Sequence, residues 1–426
     1  MQERQERLVR QARWVVGACL LAWILRQIGS LLGWWKGEQL SLWVTWGLSA
    51  MNSAGYLVIF LVFQLAYRGD WLSRLYWLVA GLMLETYVFL SRPYIWDFTQ
   101  RLKAIGLGLG LTGLLAMAFY ARRASSSRKT WQYLFLVSSL MFLYPRVSDM
   151  GLSLVTRMTP VLLDPLAWRM DRLWGELTAQ TFLTTVLQWG IAQPLEWIYV
   201  SIPIGIGIAL FQNFYQAQKS SFSFLLAYVT ATILGLLGYL SLPMIGPLAV
   251  EKLTQGASLA QLWQLDLFSP NARNCTPSLH ATWAILLHRC GCDLGGRWQW
   301  ASGLFLFLTV LAIFPIGDHY IFDLLIAVPF SYGVYQIARW DFWQSIRTQM
   351  HALFGLATAF GWLWALRLAA PLLLGLPRLT QVLELLTLAY FLPKVCLGQE
   401  HDLAGQIDKD KEACQTMQIR PTIKPP

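Results

Sequence analysis

Apolar runs about as long as a bilayer is thick recur along this chain, and they constrain its fold more than any other feature. A hydrocarbon layer offers no partner for backbone N–H and C=O groups, so a spanning segment satisfies them internally, as a helix of about 20 residues. Such runs lie near residues 14–35, 41–66, 71–91, 104–121, 131–145, 181–213, 222–243, 279–290, 299–316, 319–338, 351–375 and 378–393. The expected fold is all-α, a polytopic membrane helix bundle of about 12 transmembrane helices. The 279–290 run spans only by extending into its neighbours. With 56% hydrophobic and 13% charged residues, an ordinary soluble enzyme is excluded. The 22 Trp and 16 Tyr suit the headgroup layers, where an amphipathic ring keeps its polar edge wet.

Basic residues give the orientation. Among the first five segments between runs, the N-terminal tail and alternate loops carry ten Lys and Arg, and the other two carry four. This bias puts the N-terminus in the cytoplasm and leaves 146–180, 244–278 and 316–319 on the far side. The same count puts Lys219, Arg289, Arg297, Arg339 and Arg347 on the cytoplasmic side. The net charge of +10 is spread in short clusters between apolar runs, so it reads as loop charge and no nucleic-acid partner is expected. Arg4, Arg7, Arg10 and Arg13 resemble the basic start of a signal peptide, but Arg26 interrupts the run and no clear cleavage site follows, so the segment reads as a retained anchor. Cys19, Cys275, Cys290, Cys292, Cys396 and Cys414 form no CxxC pair and no metal-ligand spacing with histidine; no metal site, cofactor or disulfide framework is expected.

A basic, serine-rich stretch at 121–129 reads as a boundary. The expected organisation is N-terminal membrane helices over 1–121, a catalytic core over 131–338, additional membrane helices over 351–393, and a polar, disordered tail over 394–426. Between the fifth and sixth runs, Asp164 to Gly175 alternates apolar and charged positions at helical spacing. It reads as an interfacial amphipathic helix, or as a re-entrant connection with no catalytic part.

Two stretches carry the chemistry: Thr276-Pro277-Ser278-Leu279-His280 and Gly317-Asp318-His319-Tyr320-Ile321-Phe322-Asp323. Each sets a histidine at the edge of an apolar run, where an ionisable group costs about 3 kcal/mol on insertion scales and therefore suggests function. Thr276 is expected to cap a helix whose first turn is Pro277-Ser278-Leu279, placing His280 beside free amides and a positive dipole end suited to phosphate. Arg273 adds a planar donor for phosphate oxygens. His319 and Asp323 are four apart, so one helix face would bring carboxylate to imidazole, the base-and-orienter arrangement of an activated nucleophile. His319 would attack phosphorus while His280 protonates the leaving alcohol, and no metal is required. His288, His351 and His401 have no comparable surroundings and read as structural.

With Pro277-Ser278-Leu279-His280 and His319 to Asp323, the chain resembles the type 2 phosphatidic acid phosphatase superfamily, whose second and third signatures are Pro-Ser-Gly-His and His-x-x-x-Asp preceded by Ser-Arg. Leu279 in place of glycine, with Gly-Asp-His-Tyr in the other motif, looks more like the branch of inositol phosphorylceramide synthases, that is, inositolphosphotransferases. The resemblance covers about 131–338. It implies a six-helix core near the extracytoplasmic surface, with His319 forming a phosphohistidine, Asp323 as its partner, His280 as the acid and Ser278 as a phosphate ligand. The first signature, Lys-x6-Arg-Pro, is missing: Glu85 stands at the lysine position ahead of Arg92-Pro93, and Ala312-Ile313 replace Ser-Arg. Phosphate contacts are then expected from Arg273 first and from Arg146, in Tyr144-Pro145-Arg146, second.

The implied activity is an integral-membrane phosphotransferase or phosphatase acting on a phospholipid or lipid-phosphate substrate, with water, a lipid or a sugar hydroxyl as acceptor. Leu279 favours transfer, because a tighter and drier site disfavours water. A transporter or flippase is the alternative from another class, but Glu85 and Arg26 have no symmetric partners in a second half of the chain. A structural membrane protein with degenerate motifs is disfavoured by the survival of His280, His319 and Asp323 in register. The tail, without a retrieval signal, favours a bacterial plasma membrane over a Golgi one.

Overall fold

A computed structural model describes residues 2–31, 50–67, 69–90, 106–124, 127–159, 161–174, 190–247, 249–250 and 274–396. Within them lie fourteen helices. The first five are α1 (Gln2–Leu31), α2 (Ala50–Ala66), α3 (Trp71–Leu90), α4 (Leu107–Arg123) and α5 (Arg128–Met158). Then come α6 (Asp164–Arg172), α7 (Ala192–Val200), α8 (Ile202–Tyr215), α9 (Phe224–Ser241) and α10 (Leu279–Leu294). The last four are α11 (Arg297–Ile316), α12 (Ile321–Ala338), α13 (Ile346–Gly375) and α14 (Pro377–Cys396). The chain is an all-α polytopic bundle, as the apolar runs require. Among the described residues, seven segments are long and apolar enough to cross a membrane: the first part of α1, α7 together with α8, α9, α11, α12, α13 and α14. The expected tail lies almost wholly outside the described residues.

The fifth and sixth runs are among those whose boundaries differ from expectation. The fifth run was expected to end at 145, but α5 continues to Met158. Its 31 residues make about 46 Å of helix, well over the roughly 30 Å of a hydrocarbon layer. The 181–213 run is broken in its described part, because Pro203 opens a new helix after Ser201. Proline suits a first turn, where its missing N–H is not needed.

Helix α12 is the axis of the bundle: fifteen of its eighteen residues are buried, as expected for a helix apolar on all sides. One hydrophobic core joins it to the leading helices, running from Leu8 and Phe63 through Tyr133 and Leu210 to Phe330 and Leu363. Glu85, the acidic residue of α3, is used locally. Its carboxylate accepts the Gly106, Gly108 and Leu109 amides at 2.9, 2.7 and 3.3 Å and so caps α4.

Polar contacts tie one end of the bundle together. Arg4 Nη1 donates to the carbonyls of Ala217, Gln218 and Ser220 just beyond α8, at 3.0, 3.2 and 3.1 Å. Ser221 donates through both N–H and hydroxyl to Asp293 at 2.7 Å, and Asp293 pairs with the buried Arg289 at 3.1 Å. Asp293 lies in the last turn of α10, whose 16 residues rise about 24 Å from start to end. The start of α10 and the chain's own N-terminus therefore lie at opposite ends of the molecule.

Candidate active site

Helices α10 and α12 both begin at this opposite end, and their starts are laced together. Ser278 caps α10, its hydroxyl accepting the Ala281 amide at 3.3 Å. The expected cap, Thr276, is employed elsewhere: its hydroxyl donates to Asp323 Oδ1. His280 still falls in the first turn of α10. The turn can lie against α9 because position 238 is glycine; a Cβ there would come within 2.3 Å of Pro277 Cδ.

The second motif follows a helix stop. Gly317 ends α11 in the left-handed region (φ 73°), with its N–H on Phe314 O at 2.9 Å. His319 thus precedes α12 rather than lying on it, contrary to the one-face expectation, and the turn itself brings it to Asp323. Asp323 Oδ2 accepts the Tyr320 amide and the Cys275 thiol, each at 2.8 Å. It also lies 3.3 Å from His319 Nδ1. Burial, reinforced by the neighbouring Asp323, holds the Cys275 thiol well above its usual range, so it stays a donor.

The shortest contact of His319 decides its tautomer. Nδ1 lies 2.8 Å from the Cys275 carbonyl, and a carbonyl only accepts, so Nδ1 carries the proton. The lone pair then resides on Nε2, which faces the Ser278 hydroxyl at 3.4 Å. The His280 ring is 6.1 Å away, inclined at 63°. Its Nδ1 meets the Tyr199 hydroxyl at 2.9 Å, while its Nε2 is buried without a hydrogen-bond partner among the described residues. Leaving a buried polar nitrogen unpaired costs roughly 1–3 kcal/mol, a cost a substrate oxygen would remove.

Sequence reasoning thus placed Ser278, His280, His319 and Asp323 in one cluster, and the structure brings all four together. Arg273 lies outside the described residues, and so does the side chain of Arg146, whose backbone belongs to α5. Sequence reasoning missed Cys275, Tyr199 and two carboxylates of α6, and it gave Thr276 the capping task that Ser278 performs. Cys275 adjoins the first motif, which was the available signal; Tyr199 had none.

Helix α6 forms as its periodicity suggested and carries no reacting group, but it supports the site. Asp171 accepts the amides of Ile321 and Phe322 at 3.0 and 3.1 Å, occupying the first turn of α12. Asp164 accepts the amides of Ile245 and Gly246 and the Tyr320 hydroxyl. Burial outweighs these hydrogen bonds and pushes Asp171 up to about 8 and Asp164 up to about 7. The folded chain therefore holds these protons more tightly than the unfolded one, and stability falls as pH rises from about 4 to about 8. Asp171→Asn, which keeps an acceptor at the helix start, is expected to flatten the fall of melting temperature with pH in detergent. A melting temperature that rises with pH across this window would contradict the assignment.

Cys275, His319 and Asp323 bring donor atoms within 4.8 Å of one another. Hydrogen bonding already accounts for each of them, the thiol to the carboxylate and the imidazole to the Cys275 carbonyl. The cluster is read as a network that orients the histidine rather than as metal ligands. No curated protein and no solved structure matches the chain. Residues 168–337, which contain both motifs and every contact made with His280 and His319 above, match the family model described as PAP2 superfamily, and this supports the type 2 phosphatidic acid phosphatase superfamily.

Proposed function

We propose that the chain is an integral-membrane phosphotransferase or phosphatase that cleaves a lipid phosphate or phosphodiester through a phosphohistidine, in the manner of inositol phosphorylceramide synthases. The observation that carries this reading is the bare Nε2 of His319 facing Ser278 beside the start of α10. In the first half-reaction Nε2 attacks phosphorus, the bond to the leaving oxygen breaks, and His280 Nε2 gives that oxygen its proton. In the second, His280 takes the proton of water or an acceptor hydroxyl, whose oxygen displaces Nε2 from phosphorus. The α10 amides and Ser278 would hold the phosphoryl oxygens, with Arg273 and Arg146 as candidate cations.

A site at the opposite end of the bundle from the N-terminus, together with the basic bias of the leading loops, supports an extracytoplasmic active site. The transporter reading is weakened because Glu85 is engaged as a helix cap.

The test supplies labelled phospholipids to the outer face of intact cells and to the purified chain in detergent, with and without a lipid or sugar acceptor. Released phosphate or head group indicates hydrolysis, and a new labelled lipid indicates transfer. No turnover of any lipid phosphate by the purified chain would sink the proposal, and turnover only after lysis would reverse the sidedness.

A further inference from the structure

We propose that Tyr199 and Asp318 are positioning residues that keep a proton on His280 Nδ1, so that Nε2 alone gives a proton in the first half-reaction and takes one in the second. The proposal rests on the reading of His280 as the proton donor. Tyr199 stacks on the His280 ring, with centroids 4.0 Å apart and planes at 23°. Its hydroxyl lies 2.9 Å from His280 Nδ1 and 3.4 Å from Asp318 Oδ2. A phenol has a single proton to donate and also accepts. When it points at Asp318, its oxygen accepts from His280 Nδ1–H. The protonated ring gives its Nε2 proton to the leaving oxygen, and the neutral ring that remains, still protonated on Nδ1, has a bare Nε2 that takes the acceptor's proton in the second half-reaction and so restores the protonated ring. Protonation of the ring is supported by the carboxylate beyond the hydroxyl. No heavy atom has to move.

The fold holds both ends of this relay. Tyr199 sits in the last turn of α7, just ahead of the break at Ser201. Asp318 belongs to the same turn as the nucleophile, and its carbonyl lies against Gly246. Gly246 has φ 93°, and a Cβ there would come within 2.4 Å of that carbonyl oxygen. The turn thus carries both the attacking histidine and the group that steers the proton donor. Among the described residues, the other titratable groups around the pair include His319, Tyr239 from α9, Cys275 ahead of α10 and Asp323 of α12. From α11 come the apolar Ala312 and Ile313, which pack with Tyr199. These are the two positions where the superfamily pattern has Ser-Arg.

Tyr199→Phe keeps the ring and its stacking and removes the relay. Its kcat is expected to fall about tenfold or more with KM nearly unchanged. The alkaline limb of kcat should move to lower pH, because the protonated ring loses the support of Asp318. Asp318→Asn should shift the limb in the same direction, and the double variant should be no worse than Tyr199→Phe alone. In single turnover, the loss in phosphoenzyme formation should nearly vanish for an aryl phosphate, whose leaving group needs no proton.

A wild-type pH profile in Tyr199→Phe, or an equal loss in the rate of phosphoenzyme formation for alkyl and aryl phosphates, would reduce Tyr199 to a packing residue and overturn the proposal. An independent readout holds even if the chain turns over no phosphate ester. In 15N-labelled protein, Tyr199→Phe should lower the titration midpoint of His280 and change its tautomer ratio, and an unchanged His280 signal would overturn the proposal.

Discussion

His319→Ala is expected to lower turnover by about 10⁴-fold or more, in line with the removal of a nucleophile from a group that acts as a unit. The geometry makes the expectation more specific than loss of activity. Because the Cys275 carbonyl fixes the proton on Nδ1, the phosphoryl group must reside on Nε2. Rapid quenching of the wild-type enzyme with labelled substrate should trap an acid-labile, alkali-stable phosphoenzyme of that isomer. His319→Ala should trap none. Label on another residue, or on Nδ1, would contradict the tautomer derived from the structure, and residual activity near wild type would remove the nucleophile altogether.

Loss of the proton donor should depend on what leaves. An alkoxide is a poor leaving group, so His280→Ala should slow cleavage of an alkyl phosphate ester by about 10²–10⁴-fold. An aryl phosphate leaves readily without a proton, and for it the variant should approach wild type in the rate of phosphoenzyme formation. His280 sits in the first turn of α10 and its Nε2 is unpaired, so the substitution removes no hydrogen bond from that nitrogen. The two substrates, measured by single turnover, separate acid catalysis from collapse of the site. An equal loss with both would point to collapse and against the acid role.

The helices were legible in the sequence because an apolar run in lipid has almost no other way to satisfy its backbone. The residues at helix ends were less so, since these depend on partners far along the chain. Thr276 looked like a cap by local pattern, but Asp323, 47 positions on, takes its hydroxyl, and Ser278 caps instead. Asp171 looked like one charge of an amphipathic surface, yet it accepts amides 150 positions away. His319 and Asp323 were found by their spacing even though the expected helix does not include His319, because a tight turn at Gly317 achieves the same approach. Tyr199 is 81 positions from His280, and nothing near it in sequence distinguishes it from the other tyrosines.

The contacts of α1 also bear on the order in which the molecule is built. Arg4 donates to carbonyls 213 to 216 positions later, and Gln11 accepts the hydroxyl of Ser223, 212 positions later. A chain made from its N-terminus at a few residues per second places its first helix long before these partners exist. During that interval the polar side chains of α1 must rely on water, headgroups or the insertion machinery. This end of α1 is therefore locked only after the loop between α8 and α9, midway along the chain, has emerged.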